Sequence, residues 1–304
     1  VKKLFAITAA ALLAIPAPAQ QPVPLENAPR LQDPGRLAAP GWEASLNASY
    51  VGSATTRFIG VHLADSDAKT VSLGVGRQID INKEWFAHLG LASDNIFLGT
   101  VSGAPVPASI HTLHLNASLG CKLNEEWSLS AVLFPSLYRL DQLSSDDLGI
   151  AGGFVATWRA DPSLTWTFGI MADPNSDLKV LPVLGVRWLI DDHSMLEVGF
   201  PKTRYSYRLD SQWSLYVGGD FSGSTFRTSE NLGNQIGASQ YNRALGTYRD
   251  ARIGPGVTCR ITRGLRAELE GGYSVYRRID YTRIGQTVDF DPAPYVRAGL
   301  SGRF

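Results

Sequence analysis

From Trp42 to the end of the chain, apolar and polar positions alternate with a period of two. Trp42, Ala44, Leu46, Ala48 and Tyr50 interleave with Glu43, Ser45, Asn47 and Ser49. The same pattern returns at 70–80, 85–94, 112–123, 127–134, 149–158, 164–171, 180–190, 195–200, 205–209, 213–221, 252–261, 265–276 and 294–304. Successive side chains of a strand point to opposite faces, so each run predicts a strand with one apolar and one polar side. No stretch of similar length carries the i, i+3, i+4 stripe of a helix core. The chain is predicted to be all-β.

The joints between runs repeat as well. Asn82-Lys-Glu-Trp85, Asn124-Glu-Glu-Trp127 and Asp210-Ser-Gln-Trp213 are near copies. Each has a turn-forming side chain, two polar residues, then an aromatic that opens the next strand. Asp161-Pro-Ser-Leu164, Asp191-Asp-His-Ser194 and Thr262-Arg-Gly-Leu265 are weaker versions. Asn and Asp suit such corners because their side chains bond the backbone just ahead. Between these tight joints lie longer polar segments at 53–69, 94–110, 135–147, 173–179, 222–246 and 277–293, with one short exception at 201–203.

Short turn alternating with long loop is the asymmetry of an outer-membrane barrel, with turns in the periplasm and loops outside the cell. The expected fold is therefore an antiparallel transmembrane β-barrel of about 14 strands, spanning 42–304. About twelve is the alternative if 194–209, interrupted by Pro201, forms one bent strand. A periplasmic sandwich also alternates. The lengths of several runs, and a second face uniform in Gly, Ser, Asn and Arg, favour a sheet that crosses lipid and closes on itself. Trp85, Trp127 and Trp213 are expected at one membrane interface, where an indole satisfies both its apolar ring and its N–H.

The opening residues agree with this location. Lys2 and Lys3 precede an apolar run from Leu4 to Ile15 and then Ala17-Pro18-Ala19, the layout of a secretory signal at 1–19. The proline-rich stretch 20–41 lacks alternation and is expected to be a dangling periplasmic arm. No later segment approaches the ~18 apolar residues of a spanning helix. The near-zero net charge and the absence of a Lys/Arg block exclude nucleic acid as a partner. Cys121 and Cys259 share a phase with apolar neighbours and have no C-x-x-C partner, so they read as ordinary members of the apolar face.

If the apolar phase meets lipid, the inward phase can be written out. The lumen and selectivity candidates are Arg187, Glu197, Arg204, Arg208, Asp220, Arg252, Arg260, Glu268, Glu270 and Arg297, with His88, His114, Asn116, Ser118, Lys122, Arg266 and Arg303 in the same phase. Charges of both signs could brace the wall as a paired network, or line a polar channel whose basic excess favours anions.

Catalysis and metal binding find little support. His114 and Ser118 share a face but lie about 13 Å apart on an extended strand, so a triad would need partners from other strands. His111 and His114 point to opposite faces. Asp65, Asp67, Asp146 and Asp147 lack the spacing of a calcium loop. No cofactor or metal is expected, and the chain is read as a non-enzyme.

The terminal run places Val296, Ala298, Leu300 and Phe304 on one face, resembling the C-terminal signal by which the barrel-assembly machinery recognises its clients. Gly302 departs from the usual large residue near that end. More specifically, Trp127-Ser-Leu-Ser-Ala-Val-Leu-Phe-Pro-Ser-Leu-Tyr138, Leu196-Glu-Val-Gly-Phe-Pro-Lys-Thr-Arg-Tyr205 and Asp210-Ser-Gln-Trp-Ser-Leu-Tyr-Val-Gly-Gly219 resemble a DUF6268-type family of uncharacterised outer-membrane barrels. The resemblance covers essentially the whole chain after the signal. It implies a barrel in the bacterial outer membrane and supplies no activity.

The functional expectation is a monomeric outer-membrane barrel with a mixed-charge lumen, a narrow porin-like channel for small hydrophilic or anionic solutes. Its alternative is a closed structural or surface-interaction barrel acting through its loops. A lipid-modifying enzyme stands third. The expected partners are outer-membrane lipid, lipopolysaccharide, small solutes and, during biogenesis, the assembly machinery.

Overall fold

The computed structural model describes residues 41–139, 147–175 and 179–304, so the expected signal segment and nearly all of the arm lie outside the described residues. The strands are β1 (Gly41–Phe58), β2 (Val61–Asp80), β3 (Trp85–Leu98), β4 (Ser109–Lys122), β5 (Trp127–Leu137), β6 (Leu148–Asp161), β7 (Leu164–Ala172) and β8 (Val180–Leu189). They continue with β9 (Ser194–Gly199), β10 (Lys202–Arg208), β11 (Trp213–Arg227), β12 (Leu245–Arg260), β13 (Leu265–Tyr281), β14 (Gln286–Phe290) and β15 (Ala293–Arg303). One helical turn, α1 (Leu232–Gln235), interrupts the β11–β12 loop.

Every neighbouring pair is antiparallel, and the sheet closes where β1 meets β15, from Glu43↔Arg303 to Val51↔Tyr295. Trp42 and Phe304 complete the seam by exchanging backbone hydrogen bonds of 2.9 Å in both directions. β14 and β15 both lie between β13 and β1, one above the other, and occupy a single place in the wall. The fifteen segments therefore make a 14-stranded barrel. The region around Pro201 is a true hairpin of two short strands, which removes the twelve-strand alternative.

The polarity of the faces follows the period-two reading. Leu73, Leu89, Leu133, Phe154, Ile170, Leu184, Val217, Ile253 and Leu269 are exposed on the outer wall. His88, His114, Asn116, Arg204, Arg252, Glu270 and Arg297 are buried toward the interior. A closed sheet satisfies its backbone internally, which is what a hydrocarbon environment demands.

All six short turns use one device. The side-chain oxygen at the corner accepts backbone N–H groups two and three residues ahead. For Asn82 these are Glu84 and Trp85, both at 2.8 Å. For Asn124 they are Glu126 and Trp127 at 2.9 and 2.8 Å, and for Asp210 they are Gln212 and Trp213 at 2.7 and 2.8 Å. Asp191 does the same with His193 and Ser194, and Thr262 with Gly264 and Leu265. Asp161 bonds Ser163 through both its backbone N–H and its hydroxyl, and Leu164 through its backbone. Trp85, Trp127 and Trp213 thus open their strands at this end, and Trp42, Trp158, Trp166 and Trp188 join them, so all seven tryptophans of the chain ring one rim.

The loop side differs from expectation. The segments 53–69 and 277–293 are largely strand, while 222–246 keeps a loop at 228–244 between the ends of β11 and β12. β1 and β2 run on to a turn at Ile59-Gly60, where both residues have positive φ, 51° and 73°. β13 and β14 run on to a turn ending at Gly285, at φ 72°. Above the lipid both faces of a strand meet water or loops, so the apolar–polar alternation fades while the ladder persists. Bulges between Val51 and Ala54 and between Ala251 and Arg252 also shift the phase.

Candidate functional site

Turning the polar phase inward gathers charges from distant parts of the chain on the arc β10–β15. Arg204 on β10 donates to Glu268 on β13, with Nη2 to Oε1 at 2.7 Å and Nη1 to Oε2 at 3.3 Å. Its guanidinium also lies 3.6 Å over the ring of Tyr216. The Tyr216 hydroxyl bridges Glu268 and Glu270 at 2.8 and 2.7 Å. Arg297 on β15 joins Glu270 at 2.8 Å to Asp220 at 3.1 Å, and Tyr295 donates to Glu270. Higher up, Arg252 pairs with Asp250 at 2.6 Å, and Ser274 donates to the same carboxylate.

A charge withdrawn from water needs a partner and further hydrogen bonds, and each member of this group has them. The tyrosines were missed in the sequence. Their inward phase was legible, but nothing local marks a phenol as the bridge between two carboxylates on another strand.

The remaining candidates sit elsewhere. Arg187 and Glu197 face each other across β8 and β9 at 3.6 Å, partly exposed. Arg208 and Arg260 are exposed at the turn-side mouth. Val296, Ala298 and Leu300 lie in the outward, exposed phase of β15, with Phe304 beyond its end. Cys121 and Cys259 are free.

The loop-side half is filled by apolar side chains. Loop 99–108 turns inward and buries Val101, Ala104 and Val106 against Val51, Ile96, Ile110, Ile279, Val288 and Phe290. The hydroxyl of Tyr281 holds this loop through the Pro105 carbonyl at 2.6 Å. Loop 228–244 lays Tyr241 on Tyr281, with ring centroids 5.1 Å apart.

The walls also meet. β11 and β4 are seven places apart in a 14-place ring, yet Ser224 and Thr112 share a 3.2 Å hydrogen bond. The Arg227 N–H donates to the Tyr138 carbonyl at 3.2 Å, and the Arg227 guanidinium lies 2.8 Å from Asp147. The upper part of β11 therefore crosses the lumen to reach the tops of β4 and β5. A second apolar cluster, Phe134, Ala151, Met171 and Val183, lines the interior of β5–β8.

Tertiary folding sets Ser136, His114 and Asp94 on adjacent strands, with His114 Nδ1 2.8 Å from Ser136 and Nε2 3.3 Å from Asp94. A hydrolytic triad has the opposite sense, Nε2 to the nucleophile and Nδ1 to the carboxylate. Here Nε2 also touches Thr112, at 3.1 Å. Ser136 itself lies within the sheet, paired with His114 on β4 and Gly149 on β6. The trio is a hydrogen-bonded brace at the seal, and it does not form a hydrolytic triad. Among the described residues no group of three or more His, Cys, Asp or Glu is placed to hold a metal.

A closed barrel with a lipid-facing apolar wall, an indole girdle and a charge-paired interior is an outer-membrane barrel, and it resides in the bacterial outer membrane. Residues 82–302 match the profile described as "Domain of unknown function (DUF6268)", and the chain belongs to that family. No functionally curated protein matches it in sequence.

Among solved structures, the TodX deltaS2S3 mutant monoaromatic hydrocarbon channel superposes with a TM-score of 0.50 at 10% identity, covering 91% of this chain and 94% of that one. The COG4313 outer membrane channel from Pseudomonas putida F1 gives 0.49 at 9% identity, covering 90% and 98%. A Pseudomonas aeruginosa FadL homologue gives 0.44 at 13%, covering 87% and 90%.

Proposed function

We propose that the protein is a narrow outer-membrane channel for small hydrophilic solutes, shut at rest in its extracellular half. The observation that carries this is the crossing of β11 to β4 and β5 above a turn-side half that keeps a polar interior. Such a contact is a two-position element: it seals when Arg227 holds Asp147 and opens when they part. Selectivity is expected to be weak. Arg204, Arg252 and Arg297 face Asp220, Asp250, Glu268 and Glu270, three cations against four carboxylates, so anions gain no strong preference over cations.

The test is conductance of the folded barrel in a planar bilayer. Brief, small ohmic steps are expected from the parent protein. Longer openings are expected from Arg227→Ala and from a chain shortened within loop 99–108. Silence from all three, each verified as folded, overturns the channel reading.

A second reading rests on a different surface. Arg278, Asp289 and Arg57 stand directly opposite one another across β13, β14 and β1, above the lipid-facing wall, with Asp291 beside Arg57. In this reading Arg57 and Arg278 exchange their partners Asp291 and Asp289 for the phosphates of lipopolysaccharide. Retention on immobilised lipopolysaccharide that survives Arg57→Gln together with Arg278→Gln, and survives trimming of loop 228–244, would remove this reading. During biogenesis the proposed partner is the barrel-assembly machinery, meeting Val296, Ala298, Leu300 and Phe304 on the closing strand.

A further inference from the structure

Among the described residues the wall is unpaired over one interval on one side. β9 has six residues and β10 seven. At a rise of about 3.3 Å per residue and a tilt near 40°, that hairpin climbs only about 15 Å, whereas the apolar band is about 25 Å tall. The β8–β9 ladder stops at Gly185↔Gly199, and the β10–β11 ladder at Lys202↔Asp220. Above those rungs β8 continues through 180–184 and β11 through 221–227, and the two do not pair. Because β11 leans across the lumen to β4 and β5 at this level, it moves away from β8 instead of closing on it.

The interval is lined by apolar groups. Behind it lie Phe134, Ala151, Met171 and Val183, with Val132 and Leu181 packed against them. Its lower lip is Phe200, whose ring meets Phe221 with centroids 5.7 Å apart. On its outer flank Val180 and Leu184 are each 58% exposed to the lipid side. The ceiling is polar: Asn175 donates to the Tyr138 hydroxyl at 3.2 Å, beside the Arg227–Asp147 pair. A packed apolar cluster at hydrocarbon depth, behind an unpaired interval and beneath a polar ceiling, matches the chemistry of a lipid chain below its headgroup.

We propose that the interval between β8 and β11 is a lateral portal through which the acyl chain of an outer-membrane lipid enters the β5–β8 side of the barrel. It sits at the depth of the bilayer core, where acyl chains are the surrounding medium and meet its apolar lining without desolvation cost. The portal does not require the barrel to conduct, so silence in a planar bilayer leaves it standing.

The test uses the unmodified barrel in phosphatidylcholine vesicles containing a phospholipid with a photoactivatable group midway along its acyl chain. Adducts are expected on the interior residues Met171 and Val183 as well as on outward Ile170 and Leu184. Adducts confined to the outward residues overturn the proposal. A second arm places single cysteines, Val183→Cys, Leu184→Cys and Asn116→Cys, in a chain lacking Cys121 and Cys259, and labels each with bimane. In vesicles of acyl-brominated phosphatidylcholine, quenching at Val183→Cys should equal that at lipid-facing Leu184→Cys. Quenching as low as at lumen-facing Asn116→Cys overturns the proposal.

Discussion

Replacing Arg297 by Met tests whether the interior charges are dry and mutually dependent. The Arg297 side chain is 8% exposed and joins Asp220 and Glu270, themselves 12% and 6% exposed. Removing one partner of a buried pair typically costs about 3–5 kcal/mol, because the abandoned charge remains desolvated. Glu270 keeps the hydroxyls of Tyr216 and Tyr295, and Arg204 stands 3.9 Å away. The loss should therefore fall at the lower end, about 3 kcal/mol. Adding Glu270→Gln should recover part of it, giving a coupling of about 2 kcal/mol between the two sites.

Urea unfolding in lipid vesicles, followed by tryptophan emission and by the heat-dependent gel shift, measures both quantities. Arg187→Met is the control. Its partner Glu197 lies at 3.6 Å, and the pair is 29% and 38% exposed, so about 0.2–1 kcal/mol is expected. If Arg297→Met costs no more than that control, and the double variant is additive, the interior is water-filled and the argument from desolvation fails.

Three other outcomes are expected. The backbone N–H groups of Trp213 and Gln212 hold the Asp210 carboxyl below the usual carboxylate range. A lowered folded-state value means stabilisation that is complete above the unfolded-state value and is lost as pH falls through the folded one. The stability difference between the parent and Asp210→Asn, which keeps the acceptor found at Asn82 and Asn124, should therefore shrink from about pH 6 to about pH 2; a constant difference would contradict the turn assignment. Gly153→Ala would set its Cβ 2.0 Å from the Ile170 carbonyl in the adjacent strand, so a loss of about 1–3 kcal/mol is expected in the same unfolding assay. Trp127→Leu breaks the stack on Trp158, whose rings lie 5.7 Å apart; exciton-type near-ultraviolet dichroism should fall while the gel shift stays intact.

Much of the architecture was legible before any coordinates because a lipid-facing barrel writes itself along the chain. One face must be apolar and the other polar at every second residue, so Leu73, Leu89, Leu133 and Leu269 reported their outward direction one residue at a time. The turns were legible for an equally local reason, since the side chain of Asn82 or Asp210 folds the corner with its own neighbours. Where that coupling between polarity and backbone ceases, the reading failed. Residues 53–69 stay paired across the β1–β2 hairpin, through two register shifts, while their alternation dissolves, and so read as loop.

The interior belongs to the tertiary structure. Arg204 and Glu268 are 64 positions apart and Arg277 and Ser66 are 211, and only the curvature of the closed sheet brings them within hydrogen-bonding reach. The same holds for the seal, where β11 touches β4 across the ring, and for the opening beside it. Which side chains point inward was already written in strand parity, except where a bulge shifts the phase. Which inward groups meet, and whether they leave a passage, depends on how the wall bends, and that is set by strand lengths and contacts summed around the whole barrel.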